Sequence, residues 1–200
     1  MPPQADLQVI SGRLERGEID STEYLQQLTR FVALQIGCSR AGVRVFVDTA
    51  EGRALRSVAM FDAMRGCMVS APDMPNANQG PYFERLQHDG SVCAAHARTD
   101  PVTAGLSNDY LLPARVVSLM DMCFSVNGVL FGTFSCEQVG APLDWSQRQL
   151  QTLRKIASRA SLSLMHAVSN GVDTAPGALW EASTPNRLAT MPMPLNPLHK

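Results

Sequence analysis

Two carboxylates in strongly apolar surroundings, Asp121 and Glu137, are the residues of this 200-residue chain most suited to chemistry. They lie on either side of Asn127-Gly128, a pair whose tolerance of positive φ predicts a tight β-hairpin turn. If those two residues form the loop, Val126 faces Val129 and Phe124 faces Phe131. Met120 then faces Ser135, and Ser118 faces Glu137. On the opposite side, Asp121 lies across from Phe134, Leu119 from Cys136 and Cys123 from Gly132. Each face is then mostly apolar with one carboxylate, as expected of a sheet covered on both sides. A carboxylate on a covered face needs a partner, because burying it alone costs several kcal/mol. Bonding to backbone is the plain role for each; orienting a ligand is the sharper one.

The other reactive side chains give less. The five cysteines are at irregular spacing without Cys-x-x-Cys, which reads as reduced structural thiols. In the register above Cys123 and Cys136 share a face but stand about 13 Å apart along the strands. A disulfide needs Cα atoms within about 7 Å. His96 ends an expected strand, and one histidine is too few for a metal cage. Met60, Met64, Met68, Met74, Met120 and Met122 suit an adaptable pocket or ordinary core filling. Arg148, Arg154, Lys155 and Arg159 give the last helix a basic outer face, either a solvated surface or a dock for an acidic partner. There is no Gly-x-Ser-x-Gly, no Walker loop and no His-Glu-x-x-His.

The elements that must position these residues follow from periodicity and punctuation. A helix is expected over 4–16, stopped at Gly17. A second begins after Asp20, with Glu23 at the capping-box position and an Ile19/Tyr24 staple; Leu25, Leu28, Val32 and Ile36 form its buried stripe, and Gly37 ends it. Val43, Val45 and Val47 alternate with Arg44 and Phe46 in a strand. Further strands are expected at Arg53–Phe61, Cys67–Ser70 and Val92–His96, with a short helix over Pro81–His88. Asp100-Pro101 starts a helix that should end near Leu112, before Pro113. Val116–Val126 and Val129–Glu137 are the hairpin. Ser146 and Gln149 box the start of the last helix, with Trp145 and Leu150 as its staple. After Ser169, Pro-rich sequence reads as a flexible tail.

Several of these residues also match a known pattern. Tyr82-Phe83, Asp100-Pro101-x-Thr103, Tyr110-Leu111-x-Pro113 and Ser118-Leu119-Met120-Asp121 come first. Asn127-Gly128 with Gly132, then Glu137, Gly140-x-Pro142, Trp145 and Ile156-Ala157 follow. In order and spacing, over roughly residues 20–168, they resemble the second half of a bacterial GAF domain, a sensory module.

The resemblance implies an α+β fold: a six-stranded antiparallel sheet, N- and C-terminal helices on one face, and a loop- and helix-covered pocket on the other. It divides the chain into an N-terminal helical extension (1–19), a GAF domain (20–168) and a Pro-rich tail (169–200). The expected function is small-molecule sensing in bacterial signal transduction, without catalysis, through a helix-mediated homodimer or a signalling partner. The expected pocket residues are Phe61, Tyr82, Phe83, His96, Tyr110, Ser118, Met120 and Glu137, acting by contact and orientation. The cyclic-nucleotide motif and the usual context of bilin attachment are not evident. Departures from the family pattern include His96 for an aspartate, Cys123 for a proline, and Ser135, Gln138 and Leu143-Asp144. The ligand and any cofactor are therefore left unknown.

Two rival readings remain. One is a thiol-based reductase or redox sensor on the same fold, and the other a ligand-free dimerisation or scaffold module. Seventeen basic against eighteen acidic residues argue against a nucleic-acid or membrane-surface binder. No apolar run reaches a membrane span, and Met1-Pro2-Pro3-Gln4 does not start a signal peptide, so a cytoplasmic location is expected.

Overall fold

The computed structural model describes residues 6–50, 52–75, 80–126 and 128–169. The expected tail and the end of the Ala71–Gly80 loop fall outside them. Helices α1 (Leu7–Glu15) and α2 (Ser21–Ile36) come first. Strands β1 (Arg40–Thr49), β2 (Gly52–Asp62), β3 (Cys67–Met68) and β4 (Met74–Pro75) follow. Helix α3 (Gly80–Asp89) leads to β5 (Ser91–Ala94), the hairpin β6 (Val116–Val126) and β7 (Val129–Val139), and α4 (Gln147–Ser169). All pairings are antiparallel, in the order β3-β2-β1-β7-β6-β5, with the two-residue β4 also on β2. The expected six-stranded sheet is present, with β4 as an addition.

One face of the sheet is covered by α1, α2 and α4. Their apolar stripes meet Ala41, Val43 and Val45 of β1 and Met120, Met122, Phe124, Phe134 and Cys136 of the hairpin in one core. The caps work as their residue types require. Asp20 Oδ1 accepts from Glu23 N at 2.7 Å, and Gly37 closes α2 in the left-handed region at φ 73°. The Glu23 carboxylate does not complete the box; it accepts from Gln27 at 2.8 Å. At α4 the box is reciprocal: Ser146 N donates to Gln149 Oε1 at 2.9 Å, and Gln149 N to Ser146 Oγ at 3.2 Å. Helix α1 is integral to this layer. Ile10 and Leu14 are buried, and Glu15 accepts from Ser163 at 2.9 Å and Arg159 at 3.2 Å on α4.

The other face carries a second core built from Phe46, Leu55, Met74, Tyr82, Phe83, Leu86, Leu106, Tyr110, Leu111 and Leu119. Its cover includes the segment between β5 and β6, where the expected regular helix is not formed. A 3-10 turn (Ala104–Leu106) runs into a π-helical turn (Ser107–Leu111). Side chains here tie the segment back to the backbone that precedes it: Thr103 Oγ1 donates to Ala97 O at 2.6 Å, and Ser107 Oγ to Arg98 O at 2.9 Å. Arg115 then turns the chain into β6 at φ 58°, the only non-glycine positive φ among the described residues.

The hairpin register differs from the expectation. Val126 does pair with Val129, but Ser125 pairs with Leu130 and Phe124 with Gly132, so Phe131 is an extra residue on β7. From Phe124 to Ser118 every pair is displaced by one, so that Met120 faces Cys136, Asp121 faces Ser135, and Leu119 faces Glu137; a second irregularity at Val117 ends the displacement. A one-residue slip exchanges the faces. Asp121 and Glu137 therefore stand on the same face, and Cys123 and Cys136 on opposite ones. Gly132 is required where it stands: a Cβ there would come 2.0 Å from Arg44 O.

Candidate functional site

The corrected register assembles a polar patch at the centre of the loop-covered face. Pairings across β1, β7 and β6 give three rows: Arg40–Glu137–Leu119, Gly42–Ser135–Asp121 and Arg44–Thr133–Cys123. Arg44, Thr133, Ser135, Glu137 and Asp121 all have 0% exposure, a rare state for charged groups.

Two tyrosines from the cover reach into this patch. Tyr110, on the π-helical turn, donates its hydroxyl to Glu137 Oε1 and accepts from Arg44 Nη2. Tyr82, on α3, donates to Asp121 Oδ2. Arg44 Nη1 also donates to Pro72 O at 2.9 Å, Nη2 stands 3.4 Å from Glu137 Oε1, and the guanidinium lies 4.8 Å from the centre of the Tyr110 ring. At the rim Arg40 pairs with Asp62 at 3.1 Å, donates to Ala114 O at 2.9 Å, and lies 3.8 Å from Glu137 Oε2.

These bonds leave polar atoms over. Arg44 Nε, Asp121 Oδ1, Thr133 Oγ1 and Glu137 Oε2 are buried and make no hydrogen bond. Burial pushes the Asp121 carboxyl up to about 6, against the pull of the Tyr82 hydroxyl, Ser135 and Arg44. Burial likewise raises both tyrosines well above their usual range, keeping their hydroxyls protonated; the negative Asp121 adds to this at Tyr82. For Arg44 burial acts downward, but Tyr110, Glu137 and Asp121 outweigh it and hold the guanidinium above its usual value. The patch can thus offer charged and neutral hydrogen-bonding groups to a small polar molecule. It has no activated nucleophile. Nor do the described residues contain three His, Cys, Asp or Glu side chains grouped to hold a metal.

The family model described as GAF domain matches residues 20–164. The chain belongs to the GAF domain family. Solved GAF structures share its fold at low identity. The phycoerythrobilin-bound GAF domain from a cyanobacterial phytochrome has a TM-score of 0.64 at 14% identity, with 82% of this chain and 95% of that one covered. The blue-light absorbing form of the Thermosynechococcus elongatus PixJ GAF domain gives 0.59 at 16%, covering 76% and 90%. The Stigmatella aurantiaca phytochrome photosensory core module gives 0.59 at 16%, covering 84% of this chain and 36% of that one. No match is found among curated proteins.

Within this GAF domain the eight expected pocket residues separate into three groups. Tyr82, Phe83, Tyr110 and Glu137 are brought together on the loop-covered face. Phe83 packs edge-on against Tyr82 and Phe46, with centroids 5.5 and 6.3 Å apart. Phe61 and Met120 are on the other face, in the core under the helices. For Met120 the cause is the Phe131 bulge. For Phe61 it is a second bulge, at Val58, since Val43 pairs with Ala59 but Arg44 with Ser57. Ser118 and His96 lie apart from the patch. Ser118 Oγ donates to Ala95 O at 2.6 Å and accepts from Leu143 N at 2.8 Å, a structural tie, while His96 is exposed.

Sequence reasoning missed Arg44 and Thr133. Arg44 had a signal: in a strand whose sheet is covered on both sides, an interior arginine must be buried and paired. For Asp121 and Glu137 sharing a face, the signal was Gly132, since a glycine inside a strand often marks a bulge.

Proposed function

We propose that this GAF domain is a small-molecule-sensing regulatory module of bacterial signal transduction, acting by contact and not by bond making. The observation that carries this reading is the buried patch with its surplus of unbonded polar atoms. Each such atom costs about 1–3 kcal/mol. A ligand able to bond several of them together would recover much of that cost. The cover above the patch includes α3 and the π-helical turn, whose tyrosines are bonded to the same groups. A ligand competing for Asp121 or Glu137 would displace Tyr82 or Tyr110 and shift the cover. π-Helical turns are frequent at functional sites.

The change would pass through the sheet to the helix layer. There Val9 on α1, Leu34 on α2 and Leu162 on α4 are exposed apolar residues available to a second copy or a signalling partner. The fold shared with bilin-bound GAF domains favours a sensory role and leaves the ligand open. A cytoplasmic setting suits this role. No helix of the described residues is long and apolar enough to cross a membrane.

The thiol-reductase alternative is disfavoured by the cysteines themselves. Burial pushes Cys93 up to about 11 and Cys123 to about 12, with Asp121 adding to both. A reactive thiol needs the opposite shift.

Native mass spectrometry with an absorbance scan of the same purified sample tests the proposal. A bound mass or a chromophore band supports it. A clean apo protein that no small molecule stabilises would favour the scaffold reading.

A further inference from the structure

The buried patch is unbalanced in charge, and its two carboxylates are incompletely bonded. Arg44 is its one interior cation, set against Asp121 and Glu137; at the rim Arg40 is shared between Asp62 at 3.1 Å and Glu137 Oε2 at 3.8 Å, so two cations meet three carboxylates. Each carboxylate has one oxygen on a tyrosine hydroxyl and the other without a hydrogen bond. Negative charge therefore exceeds positive by one, and Asp121 Oδ1 and Glu137 Oε2 each lack a donor, beside the unbonded Arg44 Nε, Thr133 Oγ1 and Ser135 Oγ.

Building on the sensor reading above, we propose that this face takes a small organic monocation bearing N–H donors, of the amine or guanidine class, held between Asp121 and Glu137. Asp121 pairs with Ser135 and Glu137 is two residues further along β7, so the carboxylates are diagonal neighbours on one face. That spacing suits a single bridging group. Thr133 lies on the same strand and face, two residues from Ser135, and its buried hydroxyl has no partner to give up. It can accept from a ligand donor or donate to a ligand hydroxyl. Space at Gly42, beside Ser135, would open only if Met60 moved, and Ala59 O bounds it at 2.8 Å from where a Cβ would stand. No side chain of its own fills that position, and Met60 occupies the space, with Cε 2.6 Å from where a Cβ would stand. A thioether end is flexible and can move aside.

An anion fits poorly. It would meet two carboxylates, and both η nitrogens of Arg44 already donate, Nη1 to Pro72 O and Nη2 to Tyr110. A neutral donor would satisfy the oxygens but leave the charge excess.

The test is isothermal titration of the full chain near neutral pH with four probes of matched length: butylguanidinium, n-butylammonium, n-butanol and butyrate. Either cation should bind at least about tenfold more tightly than the alcohol or the carboxylate. Asp121→Asn should abolish that preference. Thr133→Val removes no existing hydrogen bond, so it should weaken the cation while the protein remains folded. Tighter binding of butyrate or butanol, weakened by Thr133→Val, would overturn the cation assignment and leave the sensor reading standing. No saturable heat from any probe, together with a clean apo native spectrum, would overturn both.

Discussion

Asp121 gives this GAF domain an unusual dependence of stability on pH. An unfolded aspartate titrates near 3.8, whereas burial among Tyr82, Ser135, Arg44 and Glu137 moves the folded group to about 6. Between those values the folded state holds a proton that the unfolded state has released. The stabilising contribution of this group is therefore complete below 3.8 and is lost as pH rises through about 6. The displacement corresponds to about 3 kcal/mol. This direction is opposite to that of an ion-paired carboxylate. Asp121→Asn keeps the size and an acceptor for the Tyr82 hydroxyl but cannot ionise. Urea unfolding of both proteins between about pH 4 and about pH 7.5 gives a difference curve in which groups not coupled to Asp121 cancel. Across that range the wild type should lose about 2 kcal/mol relative to the variant. A flat difference curve, or one rising with pH, would refute the claim that Asp121 is buried with incomplete compensation.

Other variants probe the remaining contacts. Tyr110→Phe strips one partner each from Arg44 and Glu137 and should cost about 2–4 kcal/mol, read from the urea midpoint at unchanged slope. Gly132→Ala drives a Cβ against the β1 backbone and should cost about 3 kcal/mol or more, or prevent folding; wild-type stability would disprove the close approach. Ser146→Ala removes the cap of α4 and should cost about 1 kcal/mol in thermal unfolding. In native alkylation the exposed Cys67 should react first, with Cys93 slowed by its raised thiol; Cys38 and Cys136 should wait for unfolding.

Much of the fold could be read from local rules. Asp20 and Ser146 are caps because their oxygens reach the orphan amides of a first turn, and the expected pairing of Val126 with Val129 is present. Four of the residues expected at the site, Tyr82, Phe83, Tyr110 and Glu137, do converge. The rest depended on long-range geometry. Alternation assigns faces only while the pairing frame is unbroken, and the extra residues Val58 and Phe131 break it, displacing Phe61 and Met120. The segment after Asp100 carries good helix-start signals, but Thr103 and Ser107 bond back to the carbonyls of Ala97 and Arg98, just before it, and helix-start rules do not anticipate those ties. Helix α1 was read as an extension, yet its burial depends on Glu15 meeting α4 about 145 residues later in the chain.

The bulge at Phe131 also separates two jobs within one hairpin. From Val126 to Ser125 the strands follow the frame imposed by the turn; from Phe124 inward they follow the frame that sends Asp121 and Glu137 under the cover. The turn can then accept substitutions that reshape the outer loop without re-addressing the inner side chains. A single-residue deletion at Phe131 would merge the two frames, turning one carboxylate out of the patch while leaving the turn intact.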